Sequence, residues 1–225
     1  MWLDDNKRET YLKFVTDKRL YRMIDVIDTR TNYISLVLEN LYQPHNASAV
    51  IRSAEALGIQ TINVIEYENK FTPSLKITNG TEKWISINRY KTVEECFQSL
   101  RESGYRILYA DPNEENHYLD EIDLDKKIAL VFGEEKPGLT EKAKKLADAG
   151  FRIPMFGFVQ SFNISVAAGI SLFTLRTQLE KSVGKSIFLS DEEKAHLLEE
   201  WMIKYTPYGM YILSTTNHQS STKES

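Results

Sequence analysis

The chain has 225 residues, of which 42% are hydrophobic and 27% are charged, and its formal net charge at pH 7 is -4. This composition is typical of a globular protein and lacks the strongly basic character that marks many nucleic-acid-binding proteins. Cys96 is the only cysteine, which excludes an intrachain disulfide, and the four histidines are not spaced as ligands on one helix. No segment has the run of ~18 apolar residues that crosses a membrane, and the N-terminus has no signal-peptide pattern. We therefore expect a cytoplasmic protein that holds no metal and makes no membrane contact.

The first 30 residues are predicted to form one or two amphipathic helices ahead of the core. Their apolar side chains recur at helical spacing, and their basic and acidic residues are nearly balanced in number. We assign residues 1–30 to an N-terminal helical extension.

Strand and helix patterns alternate over residues 31–182. The segments between most of the strand candidates show helical spacing. This alternation predicts an α/β fold with a mainly parallel sheet and helices on both faces. The strand candidates are YISLVLE, TINVIE, WISI, YRILYA, IALVF and FRIPM.

The segment PHNASAVIRSAEALG, residues 44–58, is predicted to form a helix. Asn46 is a good N-cap, and Gly58 suits the left-handed position after the last turn. An apolar face packs on the sheet in this prediction, and Arg52 points away from it. A surface arginine beside Glu55 is the alternative to a functional one. The predicted apolar face consists of Val50, Ser53, Ala54 and Leu57.

A second segment, IALVFGEEKPGLT, joins a buried strand to a helix. Gly133 ends the strand, two carboxylates and Lys136 follow, and Thr140 is the predicted N-cap of the next helix. Ligands of α/β proteins bind at the carboxyl ends of parallel strands, so a binding site is one interpretation of this loop. A solvated loop with acids before a helix is the other.

A third segment, FRIPMFGFVQSFNISVAAG, carries three polar residues within four positions, which is more than helix capping needs. These are Gln160, Ser161 and Asn163. The chain contains no glycine-rich dinucleotide fingerprint and no P-loop motif. Any nucleotide-like ligand is therefore bound in another way.

The C-terminal part is predicted to be helical. The helix ISVAAGISLFTLRTQLEKS is apolar nearly all round in its first half, as expected for a buried or dimer-facing helix. Ser190 and Glu193 form a capping-box pattern ahead of a further helix. We assign residues 183–212 to a C-terminal helical extension and residues 213–225 to a flexible polar tail.

Together and in this order, the three segments resemble the signature motifs of the SpoU-type RNA ribose 2'-O-methyltransferases, over roughly residues 30–180. The third pattern, I-P-M-x-G-x-x-Q-S-x-N-x-S-V-A, is long and specific. Phe162 stands where the family usually has leucine. The P-H-N sequence before the first helix favours the branch that methylates guanosine 18 of tRNA over the ribosomal-RNA branches.

The resemblance implies the SPOUT fold, in which a deep trefoil knot in the C-terminal part of the sheet holds S-adenosylmethionine, and a homodimer. It assigns the cofactor to Ala110, Gly133, Ile153 and Phe162. The positions that the family uses for catalysis and for the substrate ribose are Arg52, Asn46, Glu135, Ser161 and Asn163. Candidate RNA contacts, for which plain surface solvation is the alternative, are Arg30, Lys136, Arg19 and Lys18.

A ribose hydroxyl attacks a sulfonium methyl group only if its proton is removed or its developing charge is stabilised. In this family the matching arginine is thought to act as the base, but a guanidinium rarely loses its proton. We therefore expect Arg52 to bind phosphate and the attacking oxygen, with Glu135 or Asn46 orienting it. His45 is a competing base candidate, for which a structural or RNA-contacting role is the alternative. Three alternatives stay open: another tRNA position or ribosomal RNA as substrate, a non-catalytic RNA-binding relative, and a small α/β nucleotide-binding protein.

Overall fold

The computed structural model describes residues 2–113, 115–134 and 136–205, with residues 185 and 205 as backbone only. They form two compact units, of which the larger is Thr31–Ile187. The described residues of the smaller unit are 2–30 and 188–205. The predicted tail and residues 206–212 of the predicted C-terminal extension lie outside the described residues.

The larger unit contains a seven-stranded sheet in which every neighbouring pair of strands is parallel. The spatial order is β3-β2-β1-β6-β4-β7-β5. The predicted α/β fold with a parallel sheet is confirmed, whereas the knot stays a prediction. The strands are β1 (Ile34–Glu39), β2 (Thr61–Ile65), β3 (Ser86–Tyr90), β4 (Tyr105–Ala110), β5 (His117–Tyr118), β6 (Lys127–Phe132) and β7 (Ala149–Arg152).

Five α-helices of the larger unit connect or follow these strands. α3 packs against α7 and α4, while α5 packs against β4 and α6. Among the described residues, no helix is long and apolar enough to span a membrane. The five helices are α3 (Pro44–Ala56), α4 (Leu75–Thr78), α5 (Val93–Glu102), α6 (Glu141–Leu146) and α7 (Ile164–Ser182).

Both faces of the central strands are buried. Val37 of β1 and Val131 of β6 point into a core cluster that also contains residues of α5 and α6. Because side chains alternate along a strand, Leu36 and Leu130 point to the opposite face, and they too are fully buried. Cys96 lies in the core cluster, where burial raises the pKa of its thiol to about 12, so packing explains this residue.

The smaller unit consists of α1 (Asp5–Leu12), α2 (Asp17–Ile27) and α8 (Asp191–Tyr205). α2 packs against both α1 and α8, so the two predicted extensions belong to one unit rather than to two separate ones. The predicted capping box at the start of α8 is confirmed. The Ser190 amide donates to the Glu193 carboxylate at 2.8 Å, and the Glu193 amide donates to the Ser190 hydroxyl at 3.2 Å.

Arg30 is not a surface residue, which corrects its assignment as an RNA contact. Its side chain is fully buried, and its guanidinium lies 5.6 Å from the ring centroid of Trp201 within the smaller unit. A phosphate needs an accessible cation. Arg30 therefore serves packing in this structure, while Lys18 and Arg19 on α2 are exposed.

Candidate active site

Two clefts adjoin at the carboxyl edge of the sheet, and we name them by their position. The strand-end cleft has a volume of about 430 Å³ and lies where β4, β6 and β7 end. The helix-start cleft has a volume of about 620 Å³ and lies where α3 and α7 begin. Glu134, Lys136, Ser161 and Phe162 line both clefts, so the two are continuous. The other residues of the helix-start cleft are Leu41, Tyr42, Gln43, Asn46 and Asn163.

All four residues that were assigned to the cofactor line the strand-end cleft: Ala110, Gly133, Ile153 and Phe162. Parallel strands bring these positions together, because Ala110 is the last residue of β4 while Gly133 and Ile153 directly follow β6 and β7. Position 133 has to be glycine. A Cβ atom there would lie 2.6 Å from backbone atoms of Gly138 and Leu139.

The strand-end cleft has apolar walls and one charged pair at its edge. Phe132 and Phe151 meet edge to face with their ring centroids 6.1 Å apart. Lys144 and Asp111 form an ion pair at 2.5 Å, and the hydrogen bond from Lys144 to Asp111 raises the pKa of the lysine. The cleft therefore offers apolar surface and main-chain groups, and two of its charged side chains, Lys144 and Asp111, are paired with each other.

A hydrogen bond joins the starts of α3 and α7. Asn163 is the N-cap of α7, where its Oδ1 accepts from the Ser165 amide at 3.0 Å. Its Nδ2 donates to Oδ1 of Asn46 at 3.1 Å, across 117 residues of sequence. The structure thus brings together two of the predicted site residues from different motifs.

Asn46 is not the N-cap of α3, which corrects the sequence prediction. The helix begins at Pro44, with Gln43 in the cap position, three residues before the predicted cap. Proline is favoured in the first turn because it has no amide hydrogen to satisfy there. Asn46 therefore lies inside the first turn, and its side chain donates to Gln43 Oε1 at 3.0 Å as well as accepting from Asn163. Gly58 has a φ of 72°, as predicted for the residue past the helix.

Arg52 points away from the packed face of α3, as predicted, but it does not line either cleft. Its Nη1 donates to the carbonyl oxygen of Ile77 at 2.9 Å. Six residues separate Arg52 from Asn46, or about 9 Å along the helix axis. Ser161 and Lys136 are exposed at the boundary of the two clefts. Glu135 lies outside the described residues.

The motifs singled out Glu134 only as part of an acidic loop, yet its side chain connects segments around the helix-start cleft. Its Oε1 accepts from the backbone amide of Tyr42 at 2.7 Å and from Asn69 Nδ2 at 3.5 Å. Asn40 also holds the loop that contains Asn69, because its Oδ1 accepts from the amides of Glu68 and Asn69. These contacts join residues far apart in sequence, so local spacing gives no signal for them.

Glu39 is a second polar residue that the motifs did not reveal. It ends β1 with its side chain buried, and its carboxylate accepts from the Thr140 amide at 2.9 Å and from the Thr140 hydroxyl at 2.6 Å. Burial, the charge of Glu39 and a hydrogen bond to it raise the pKa of Tyr67 to about 12. An acidic residue directly after the apolar run ISLVL was the available signal. Glu39 links β1 to the loop behind the strand-end cleft.

Residues 33–173 match the SpoU rRNA Methylase family. This match covers more than half of the chain, and it agrees with the parallel sheet and with the cleft at its strand ends. The chain therefore belongs to the SpoU methylase family.

Comparison with individual proteins makes the similarity more specific. The chain is 39% identical to the tRNA (guanosine(18)-2'-O)-methyltransferase of Borreliella burgdorferi, over 82% of this chain and 84% of that protein. It resembles the crystal structure of the A. aeolicus TrmH/SpoU tRNA modifying enzyme with a TM-score of 0.75 and 30% identity, covering 82% of this chain and 95% of that one. An AdoMet-bound rRNA methyltransferase from Sinorhizobium meliloti is similar with a TM-score of 0.60 and 28% identity, covering 70% of this chain and 60% of that one.

Proposed function

We propose that this protein transfers the methyl group of S-adenosylmethionine to the 2'-oxygen of a tRNA ribose, that of guanosine 18. The observation that carries the proposal is the continuity of the two clefts through Ser161 and Phe162. One cleft suits the methyl donor, and the other presents the amide pair Asn46–Asn163 beside it. The relatives named for guanosine 18 support the choice of substrate.

The residues of the strand-end cleft fit S-adenosylmethionine. Its volume of about 430 Å³ is in the usual range for small-molecule sites. Phe132 and Ile164 offer apolar surface to an adenine ring, and the ends of β4, β6 and β7 offer main-chain groups to polar atoms. We assign Ala110, Gly133, Ile153 and Phe162 to holding the cofactor. When bound, the cofactor supplies an electrophilic methyl group on a sulfonium centre.

The chain's own residues have to align a ribose hydroxyl with that methyl group and help its proton to leave. The amide side chains of Asn46 and Asn163 both donate and accept, so they suit the hydroxyl groups of a ribose. Lys136 supplies a cation for a neighbouring phosphate. Alignment alone accounts for a large part of many enzymatic rate enhancements.

Arg52 is assigned to a substrate phosphate and to the negative charge that develops on the attacking oxygen. A guanidinium rarely loses its proton, so it is a poor base, but it is a strong donor of two parallel hydrogen bonds. In this proposal Arg52 exchanges its single bond to the Ile77 carbonyl for bonds to RNA. Ser161 and Glu135 complete the proposed set of catalytic residues, and Glu135 or Asn46 is proposed to orient Arg52.

We further propose that the enzyme works as a homodimer in the cytoplasm, without a metal. Val166 and Phe173 on α7 are exposed apolar residues seven positions apart, so they share one helix face. Three more exposed apolar side chains precede α7: Phe156, Phe158 and Val159. Patches of this kind mark protein interaction sites.

The direct test is methyl transfer from labelled S-adenosylmethionine to an unmodified tRNA transcript, with the modified nucleotide mapped. The matched control is the same tRNA with a single 2'-deoxyguanosine at position 18, which keeps the base and removes the nucleophile. We expect label on the first RNA and none on the second. If both RNAs were labelled equally, another nucleotide would be the methylated one. If only ribosomal RNA were labelled, ribosomal RNA and not tRNA would be the substrate. Binding of RNA without any transfer would indicate a non-catalytic relative.

A further inference from the structure

We propose that Tyr42 is the surface on which the base of the target nucleotide stacks, and that Glu134 fixes Tyr42 in position for this contact. The inference deepens the proposed function and rests on it, because it identifies the part of the site that holds the base while the ribose meets the methyl donor.

Tyr42 presents a large aromatic ring at the helix-start cleft. Tyr42 is 69% exposed, although it lines a cleft that also contains Asn46 and Asn163. No described residue forms a hydrogen bond to its hydroxyl, and the fold uses only its backbone amide. An exposed ring next to the amide pair is therefore available to a ligand.

Hydrogen bonds hold both the backbone of Tyr42 and the nearby residue Asn40. Glu134 Oε1 accepts from the Tyr42 amide at 2.7 Å. The preceding loop is tied down by Asn40, whose side chain accepts from the amides of Glu68 and Asn69 at 3.0 and 2.8 Å. An aromatic side chain on a fixed backbone loses little conformational freedom when a ligand covers it, and it binds more tightly for that reason.

The chemistry of RNA points to stacking at this place. A nucleotide whose ribose reaches the Asn46–Asn163 pair carries its base to one side and its phosphate to another. Proteins that read single-stranded RNA stack the unpaired bases on aromatic rings. Tyr42 offers such a ring at the same cleft where Lys136 offers a cation to phosphate. The helix-start cleft thus contains a partner for each of the three parts of a nucleotide.

The test compares Tyr42→Ala and Tyr42→Phe with the wild-type protein in tRNA binding and in the KM and kcat for tRNA. Stacking on one aromatic side chain corresponds to about 5-fold to 150-fold in affinity. We expect Tyr42→Ala to weaken tRNA binding and raise KM within this range, with a smaller change in kcat. Tyr42→Phe should retain wild-type values, because the ring and not the hydroxyl makes the contact. Leu75→Ala is the matched control, since Leu75 is 70% exposed and lines neither cleft.

A spectroscopic measurement separates stacking from a structural role. A tRNA with 2-aminopurine at position 18 should lose fluorescence on binding to the wild-type protein and to Tyr42→Phe, but not on binding to Tyr42→Ala at saturation. Binding of S-adenosylhomocysteine and the melting temperature should be the same in all three proteins. Quenching that persists in Tyr42→Ala, or an unchanged tRNA affinity, would overturn the inference.

Glu134 is tested by a pair of variants that both remove its charge. Glu134→Gln keeps an acceptor for the Tyr42 amide, whereas Glu134→Ala removes it. We expect only Glu134→Ala to reduce the 2-aminopurine signal and raise KM. Equal behaviour of the two variants would exclude a positioning role. If the wild-type protein labels another RNA, the proposed substrate fails, and the same comparisons on that RNA still decide whether Tyr42 stacks on the target base.

Discussion

Arg52 is exposed on α3, and in this structure its guanidinium donates one hydrogen bond to the carbonyl of Ile77. A single exposed hydrogen bond contributes about 1 kcal/mol to stability. Loss of a group that stabilises a developing negative charge typically reduces turnover by about 100-fold to 1,000-fold. We therefore expect Arg52→Ala to lower kcat by at least about 100-fold while the melting temperature falls by only about 2–4 °C.

Arg52→Lys complements Arg52→Ala, because lysine keeps the positive charge but lacks the planar pair of N–H donors of a guanidinium. A guanidinium binds phosphate through two parallel hydrogen bonds, which an ammonium cannot reproduce. Turnover of the lysine variant should stay well below wild type with S-adenosylhomocysteine binding unchanged. A fully active alanine variant would remove Arg52 from the mechanism, and an unfolded one would make it structural.

Gly133 is the residue at which the cofactor site tolerates no side chain. A Cβ atom would lie 2.6 Å from the backbone of Gly138 and Leu139, and a backbone contact cannot be relieved by a change of rotamer. Gly133→Ala should cost about 2 kcal/mol or more in the free energy of unfolding and weaken S-adenosylhomocysteine binding.

Gly157→Ala is the control for that substitution. Its Cβ atom would meet nothing within 4 Å, so we expect wild-type stability in urea unfolding and wild-type affinity in calorimetry. A stable Gly133→Ala protein that still binds S-adenosylhomocysteine would show that the loop at residues 138–139 moves aside easily.

At the scale of elements, Thr140 connects α6 to β1 in the larger unit. Its hydroxyl accepts from the Ala143 amide as the N-cap of α6 and donates to the buried carboxylate of Glu39 at the end of β1. Removing a cap costs about 1 kcal/mol, and removing a donor from a buried charge costs about 1.5–3 kcal/mol. We expect Thr140→Val to lower the free energy of unfolding by about 2–4 kcal/mol, measured by urea denaturation.

Thr140→Ser keeps the hydroxyl and tests the assignment directly. Its stability should lie within about 1 kcal/mol of wild type, because both hydrogen bonds can form. A serine variant as unstable as the valine variant would mean that the methyl group, and not the hydroxyl, stabilises this loop.

The elements with the strongest local patterns were the most predictable. β1 and β6 are buried on both faces, so their sequences are continuous apolar runs that can be recognised without a structure. Thr140 and Ser190 were recognised as helix caps because capping is a local interaction. The two-residue strand β5 is too short to show any periodicity, so it could not be predicted.

The predicted site depended on a family resemblance, because its contacts are not local. Asn46 and Asn163 are 117 residues apart, and nothing in their spacing indicates a hydrogen bond between them. The start of α3 was misplaced for a related reason. Both Pro44 and Asn46 are start signals, and the structure follows the proline because the side chain of Asn46 bonds to Asn163 instead of capping.

At the scale of the whole molecule, a net charge of -4 limits electrostatic binding of RNA. The exposed cations proposed as phosphate contacts are Arg52, Lys136, Lys18 and Arg19. Each phosphate contact contributes about -0.7 to -0.9 to the slope of log K against log salt concentration. Four contacts predict a slope of about -3 to -4 for tRNA binding, measured by filter binding at several salt concentrations.

Lys136→Ala should reduce the magnitude of that slope by about 1, whichever tRNA is used. The control is Lys142→Ala, since Lys142 is already paired with Glu94 on the surface. An unchanged slope in Lys136→Ala would mean that this lysine does not contact phosphate.

The exposed apolar residues around α7 make the proposed homodimer testable. Phe156 and Phe158 are 98% and 107% exposed, and Phe173 is 63% exposed in the isolated chain. A stable interface buries about 800 Å² on each partner around an apolar centre, and a charge placed in that centre is left without a partner. We expect the wild-type protein to sediment as a dimer and Phe173→Glu to sediment as a folded monomer. The control is Leu75→Glu, which introduces the same charge at another exposed apolar residue and should remain dimeric. A monomeric wild-type protein would contradict an interface formed by α7. Dissociation of both variants would contradict it too.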